Sequence, residues 1–329
     1  MPILVTGATG LLGNNVVRLL REGGQAVRVM VREGSDPRPL EGLDLEIVHG
    51  DVREADAVER ACQGASAVIH SAAMVHIGWT GYEQQFAINV EGTRTVADAA
   101  RRAGVRMIHV SSTDACGFGT LENPADEETP IAKGVDCPYV VTKRAAEQVV
   151  LEQVACGLDG VIVNPSFMLG PWDWKPSSGK MLLQVGRGWA LVAPPGTNNF
   201  CEVRDVARGV LSALERGQAG RRYILGGESL SYFDAWRLFA EVAGVRGPRW
   251  QARPRPVVML AAGKIGDWRT RLTGREPAVN SASVAMSRLS KCCSHRRAEV
   301  ELGYRAGPLR SAVEAAWNWF CQHGYARRR

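Results

Sequence analysis

No C-x-x-C pair occurs in this sequence, although it carries eight cysteines. Cys292 and Cys293 are adjacent and the others stand alone, so the spacing that builds a zinc site is missing and no metal is expected. No apolar run is long enough for a bilayer. The longest in the C-terminal half, Val257 to Ala262, falls far short of the ~20 residues that a spanning helix needs. No secretory leader is recognisable either. The thiols are therefore expected to be reduced, in a cytoplasmic protein without a membrane partner. Nucleic-acid motifs, internal repeats and low-complexity segments are also missing. A formal charge of +6 over 329 residues is modest, and the tail Arg327-Arg328-Arg329 reads as a solvated end rather than a nucleic-acid arm. Tyrosine and lysine are scarce, at six each, so any regular pairing of the two carries information.

What is present begins at the N-terminus, with Pro2-Ile3-Leu4-Val5-Thr6-Gly7-Ala8-Thr9-Gly10-Leu11-Leu12-Gly13. Ile3 to Val5 reads as a buried strand and Leu11 to Leu20 as an amphipathic helix, with glycines between them. Strand, glycine turn and helix are the context of a dinucleotide-binding fingerprint. Gly7 allows the tight turn, Gly10 a close approach to a pyrophosphate, and Gly13 close packing of helix on strand. The free N–H groups at the helix start then face the phosphates. The spacing is G-x-x-G-x-x-G rather than G-x-G-x-x-G.

Strands are expected at 26–31, 45–48, 67–70, 107–110 and 160–164, with helices at 55–61, 91–103 and 139–155. Strands separated by helices of this length imply a doubly wound, Rossmann-type α/β sheet, parallel and covered on both faces. Ligands in such sheets sit beyond the carboxyl ends of the strands. Gly7, Arg32, Asp51, Ala72, Ser112 and Pro165 all fall there. After Pro165 the composition changes: Pro, Gly and Trp become dense from Gly170 to Gly196. Residues 1–165 are therefore read as the nucleotide domain. Residues 166–329 are read mainly as a smaller substrate domain, with helices at 205–215, 232–243 and 309–323 and some segments returning to the sheet. Pro248 to Pro256 reads as a connector.

Tyr139-Val140-Val141-Thr142-Lys143 places a phenol and an ammonium on one helix face, and Pro138 suits the first turn of that helix. A free tyrosine, with a pKa of ~10, is a poor acid at neutral pH. A nearby ammonium stabilises the phenolate and eases proton transfer. Upstream, Val110-Ser111-Ser112-Thr113 ends a strand, where a hydroxyl could hold a carbonyl oxygen. Hydroxyl residues there also serve as turn and cap residues. His70 and His109, at strand ends, read as packed, hydrogen-bonded histidines.

Together with Gly50-Asp51-Val52, His70-Ser71-Ala72-Ala73, Asn89-Val90-Glu91-Gly92-Thr93, Asn164-Pro165-Ser166, Val203-Arg204-Asp205-Val206-Ala207 and Glu301-Leu302-Gly303-Tyr304, these motifs make the chain resemble the extended short-chain dehydrogenase/reductase family. Within it the chain is most similar to the dihydroflavonol 4-reductase-like branch of the epimerase/dehydratase superfamily. The resemblance implies that Tyr139 is the acid/base, that Lys143 lowers its pKa and holds the nicotinamide ribose, and that Ser112 orients the carbonyl. It implies cofactor contacts from Gly7, Thr9, Gly10, Leu11, Leu12, Gly13, Arg32, Asp51, Val52, Ser71, Ala72, Ala73, Tyr139, Lys143, Pro165 and Ser166. Asn89 becomes a structural support. Thr113, Phe167, Met168, Trp172, Trp174 and Phe200 are expected to line the substrate.

The second strand ends Val29-Met30-Val31-Arg32. Enzymes that use NAD place an acid at this point for the ribose 2′-OH. Here no acid is present, and Arg32 suits a 2′-phosphate, so NADP is the expected cofactor. The expected activity is NADPH-dependent reduction of an aldehyde or ketone on a small or medium, apolar or aromatic molecule. A nucleotide-sugar epimerase or dehydratase is the competing enzyme reading. In sugar-nucleotide enzymes of the family an arginine usually clamps the diphosphate, and Asn198 stands at that position here. Lys175, Arg187 and Arg204 are the cations left to replace it. A non-catalytic dinucleotide sensor is a third reading, against which the Tyr139–Lys143 pair argues. A homodimer through the helices at 91–103 and 139–155 is the expected assembly.

Overall fold

Ile3, Leu4, Val5 and Thr6 are all buried, the pattern of a strand with helices on both of its faces. In the computed structural model, which describes residues 1–131, 134–188, 190–252 and 257–327, these four residues form β1 (Ile3–Thr6), followed by α1 (Leu11–Glu22). Next come β2 (Val27–Val31), β3 (Glu46–His49), α2 (Ala55–Cys62) and β4 (Ala67–His70). A short α3 (Tyr82–Phe86) runs through a π-helical turn (Ala87–Glu91) into α4 (Gly92–Ala103). β5 (Arg106–Val110), α5 (Pro138–Ala155) and β6 (Gly160–Pro165) follow. Beyond them lie β7 (Phe167–Leu169), α6 (Gly179–Gly186), β8 (Val192–Ala193), β9 (Thr197–Glu202) and α7 (Val203–Arg216). Then come β10 (Arg222–Leu225), β11 (Glu228–Ser231), α8 (Tyr232–Ala243) and β12 (Trp250–Gln251). The last stretch contains α9 (Val257–Thr273), α10 (Ser281–Met286), β13 (Ser290–Lys291), α11 (Arg296–Leu302) and α12 (Leu309–Gln322).

The main sheet has seven parallel strands in the order β10-β6-β5-β4-β1-β2-β3. β1 is an interior strand, with Val5 level with Val29 on one side and Ile69 on the other. One face is covered by α1, α7 and α11, whose Leu12, Val16, Val17, Val206, Val210 and Leu302 share one core. The other is covered by α2, α4 and α5 through Val58, Val96, Ala100 and Val150. Fully burying an aliphatic side chain of this size contributes roughly 1.5–3 kcal/mol. Segments after residue 165 are therefore integral to the nucleotide domain. β10 extends its sheet, and α7 covers α1.

The remainder forms a smaller unit. β11, β9 and β13 make a second sheet, with β7 also paired to β9. Phe200, Leu182, Phe239, Trp317 and Phe320 fill its core. Residues 253–256 of the proline- and arginine-rich connector lie outside the described residues. α9 and α10, which sequence periodicity does not indicate, follow it. Among the described residues no helix is long and apolar enough to cross a membrane, and no disulfide forms.

Candidate active site

The glycine turn opens a cleft of about 410 Å³ at the carboxyl edge of the main sheet. Gly7, Thr9 and Gly10 form its floor, Arg32, Asp51 and Val52 one end, and Ser71, Ala72 and Ala73 a side wall. The structure thus brings nine of the expected cofactor residues to one cleft. Gly7 has a φ of +71°, and a Cβ there would lie 2.6 Å from the Ser71–Ala72 backbone. At Gly13 a Cβ would lie 2.2 Å from the Gly7 carbonyl oxygen. Both positions therefore require glycine. No side chain caps the start of α1 at Gly10, which leaves the N–H groups of the first turn, Leu11 and Leu12 included, for an anion. The Leu11 and Leu12 side chains themselves are buried in the core. A dinucleotide fits this arrangement. The pyrophosphate would lie over Gly7 and Gly10, and the adenosine end beside Asp51 and Val52.

Arg32 is exposed at the rim, with Ser35 beside it on the cleft wall. The Asp51 carboxylate accepts from Arg53 Nε and Nη2, at 2.8 and 2.9 Å, and these bonds keep its pKa below the usual carboxylate range. Met74, Gln84, Ile88 and Lys175 also line the cleft. Sequence reasoning did not assign these four to the cofactor. Lys175 arrives from the substrate unit, so no local pattern marks it.

Tyr139 lies one residue into α5, fixed by Pro138 in the first turn, and is buried together with Lys143. The Ser112 hydroxyl favours the Tyr139 phenolate, and Ser112 also caps the turn that follows β5 by accepting the Asp114 N–H at 3.2 Å. The Lys143 ammonium donates to the Val110 carbonyl at 2.9 Å. Burial brings its pKa down to about 8, so it remains mainly charged at neutral pH. A buried polar frame supports these groups. Glu147 accepts from the Ser111 hydroxyl and from Asn164 Nδ2, and Asn164 Nδ2 also donates to the Ser112 carbonyl at 3.0 Å. Asn89, in the π-helical turn, accepts from the Met74 N–H at 2.7 Å and donates to the Thr142 hydroxyl at 3.1 Å. It thereby ties the wall of the cleft to the helix that carries Tyr139.

Burial, followed by the Asp114 carboxylate, pushes the Tyr139 phenol above its ordinary range, and the Ser112 hydroxyl and the Lys291 ammonium oppose the shift. Lys291 is thus a cation that favours the phenolate. Lys291 stands on β13, level with Asn198 of β9, and is paired with Asp114 at 3.1 Å. Tyr232 feels the same two charges, and its hydroxyl accepts from Asn198 Nδ2 at 3.2 Å. Sequence reasoning missed Lys291 because only the packing of the second sheet brings residue 291 beside residue 114. The scarcity of lysine was the one available signal.

The expected substrate-lining residues divide. Thr113 lies in the short turn directly after Ser112. Phe200 is fully buried in the second core, edge-on to Phe167, Tyr232 and Phe239, so it is a core residue rather than a wall of a cavity. Met168 packs against the core beneath the main sheet. Trp172 has a φ of +69° and lies under the Arg18 guanidinium, 3.3 Å from its ring centroid. Trp174 meets Trp319 and His323 edge-on at 5.1 and 5.0 Å. The partners of these two rings are Arg18, Trp319 and His323, not Tyr139. The apolar surface around Tyr139 comes instead from Ile77, Val135, Ala282, Met286 and Leu289. Pro165 ends β6, and the Ser166 N–H donates to the Leu225 carbonyl at 3.2 Å.

The two strand-end histidines differ. His70 is hydrogen-bonded through both nitrogens, to Thr6 Oγ1 at 2.7 Å and Thr93 Oγ1 at 3.1 Å. His109 is buried beside it, with ring centroids 5.6 Å apart, but neither of its nitrogens has a hydrogen-bond partner among the described residues. It is packed, and not bonded as expected. Burial, reinforced by the Lys143 charge, lowers His70 from 6.5 to about 3 and places His109 well below 6.5. Below pH 6.5 the unfolded chain binds protons at these sites and the native chain does not, so stability is full above that pH and is lost as pH falls towards about 3. The slope approaches about 1.4 kcal/mol per pH unit for each histidine. Urea midpoints are expected to fall between pH 7.5 and 5.5, and less steeply in a His70→Asn variant. Parallel profiles for the two proteins would refute this assignment.

Comparison with known proteins agrees with the geometry. The model of the NAD-dependent epimerase/dehydratase family matches residues 3–226. The chain is 35% identical over 328 residues to sterol demethylase protein B of Methylococcus capsulatus, covering 98% of this chain and 99% of that one. It is 34% identical over 332 residues to a Synechocystis protein bearing a provisional dihydroflavonol 4-reductase name, covering 98% and 95%. The crystal structure of gox2253 superposes with a TM-score of 0.87 at 37% identity, covering 99% of both chains. With its glycine cradle, its Ser112–Tyr139–Lys143 constellation and these relatives, the chain belongs to the NAD-dependent epimerase/dehydratase family, the extended short-chain dehydrogenase/reductases.

Proposed function

We propose that this protein is an NADP-dependent reductase of an aldehyde or ketone carried by an apolar, ring-bearing organic molecule. The observation that carries the reading is the burial of Tyr139 and Lys143 on one face of α5, beneath an apolar wall of Ile77, Ala282, Met286 and Leu289. When bound, the nicotinamide supplies or accepts the hydride. Ser112 donates to the carbonyl oxygen and fixes its position, and Tyr139 gives that oxygen its proton. Lys143 holds the nicotinamide ribose and keeps a positive charge beneath the developing phenolate. Pro165 and Ser166 flank the nicotinamide ring. A relative named for sterol demethylation agrees with an apolar, polycyclic substrate body.

The sugar-nucleotide reading needs a cation for a diphosphate beside Tyr139. Lys291 is there, but Asp114 neutralises it. Asn198 is an amide already bonded to Tyr232. Arg204 is paired with Glu202, Lys175 lies in the dinucleotide cleft, and Arg187 is exposed at the end of α6. The test is a carbonyl panel followed by NADPH oxidation, with calorimetric titration of UDP and UDP-sugars in parallel. Turnover of an aromatic or polycyclic carbonyl with no micromolar UDP binding is expected. Micromolar binding of any nucleotide sugar would replace this reading with an epimerase one.

Cofactor choice follows from Arg32. A guanidinium directly after β2, with Val31 rather than an acid at the strand end, suits a 2′-phosphate. Arg32→Ala is expected to weaken NADPH about tenfold and NADH much less, read by quenching of protein fluorescence. Equal losses for both cofactors would remove Arg32 from the 2′-phosphate site.

A further inference from the structure

α9 is packed inside out. Its inward side is made of small residues: a Cβ at Gly263 would lie 3.0 Å from Ser281 Cα, and one at Gly266 2.1 Å from the Val279 carbonyl oxygen. The large apolar side chains point to solvent instead. Val257 is 76% exposed, Ile265 64%, Trp268 63% and Leu272 65%. At 100° per residue these four fall within an arc of roughly 80°. Exposed cations border that arc, Lys264 and Arg271 on one side and Arg269 on the other. The one acid of the helix, Asp267, is turned inward and accepts the Ser281 N–H at 3.0 Å.

This surface is fixed to the fold. The Glu276 carboxylate accepts from the Trp79 and Thr80 N–H groups at 2.9 and 3.1 Å and from the Thr80 hydroxyl at 2.5 Å. Trp79 Nε1 also donates to the Ser281 hydroxyl at 2.7 Å. That loop adds the exposed Val75 and Trp79. On its inner side, α10 packs Ala282 and Met286 against Tyr139. The exposed helix is thus the outer layer of the cap over the candidate active site.

From these observations we propose that α9 docks this protein on the surface of an anionic phospholipid bilayer. An apolar stripe with an interfacial tryptophan enters the acyl boundary, while flanking Lys and Arg side chains reach the headgroups. Anionic lipid supplies the counter-charge that Lys264, Arg269 and Arg271 do not find in an ion pair among the described residues. A second copy does not: pairing α9 with itself would set these cations against one another. The spanning criterion that argues against a membrane partner does not bear on a helix lying in the interface. Docking stands independently of the reductase reading. Where both hold, the cap over Tyr139 faces the phase in which an apolar substrate dissolves.

The experiment is co-flotation of the full chain with vesicles of phosphatidylcholine alone and of phosphatidylcholine with phosphatidylglycerol, at low and high salt. Wild type is expected to partition at least roughly tenfold more onto the anionic vesicles, with the preference reduced by salt. The double variant Ile265→Glu/Trp268→Glu is expected to lose roughly tenfold or more of this binding. Its NADPH affinity and circular-dichroism melt, which report folding, should be unchanged. Lys264→Gln/Arg269→Gln/Arg271→Gln should abolish the anionic preference. No flotation of wild type, equal binding to both vesicles, or undiminished binding of the double variant overturns the proposal. So does a wild-type dimer that the double variant splits, since the face would then belong to a second copy. None of these readouts uses turnover, so an inactive carbonyl panel leaves them untouched and bears on the reductase reading alone.

Discussion

A Tyr139→Phe variant is expected to reduce carbonyl roughly 10²–10⁴-fold more slowly than wild type, with dinucleotide affinity within roughly tenfold of the original. The substitution keeps the ring and its contacts with Val140, Ala282 and Met286, so folding is little affected. What is lost is the phenol hydroxyl alone, whose ionisation Ser112 and Lys291 favour. A rate loss of this size corresponds to roughly 3–5.5 kcal/mol of transition-state stabilisation. Such a loss exceeds the ordinary net value of about 1 kcal/mol for a hydrogen bond, and so distinguishes a proton donor from a packed phenol. The measurement is kcat with the best substrate of the carbonyl panel, alongside fluorescence titration with NADPH. Turnover within a few-fold of wild type would remove Tyr139 from the chemistry.

The second large effect is on the scaffold. Gly13→Ala is expected to destabilise the chain by about 3 kcal/mol or more, lowering the thermal midpoint by roughly 5 °C or more and weakening dinucleotide binding with it. The new methyl would meet the Gly7 carbonyl oxygen at 2.2 Å and the Ser71 hydroxyl at 2.8 Å. Gly7 is backbone at the turn that cradles the phosphates, so it cannot yield without reshaping the site. Gly64→Ala is the control. Its φ is positive, +66°, unlike that of the helical Gly13, and nothing lies within 4 Å of the added atom, so only the left-handed strain of about 1 kcal/mol is expected. Equal midpoints for the two variants would show that strand–helix contact at Gly13 is not what the glycine provides.

The legible parts of this molecule are those where a local pattern and a tertiary requirement coincide. The glycine turn, the Tyr139–Lys143 spacing and the alternating elements up to β6 all state their geometry within a dozen residues. α9 was illegible for the opposite reason. Its apolar residues face outward and its glycines inward, so the periodicity that marks a helix against a core was reversed. Trp172 and Trp174 looked like a substrate mouth because aromatics after a strand end often are one. Composition does not reveal that Arg18, Trp319 and His323 would take their faces. Lys291 and Asp114 are separated by 177 residues, and no single stretch of sequence records their meeting.

The covering of α1 by α7 has a consequence for the order of synthesis. α1 carries the glycine cradle at its start, yet its apolar face is closed by Val206 and Val210, and the same core contains Tyr223, Leu225 and Leu302. A nascent chain that has emerged only as far as β6 therefore exposes one side of its sheet and the edge at which β10 belongs. The glycine cradle is thus held in place by segments made long after it. Until residues near 300 emerge, the N-terminal half presents the open edge of β6 and a bare helix face, the kind of surface on which chaperones act.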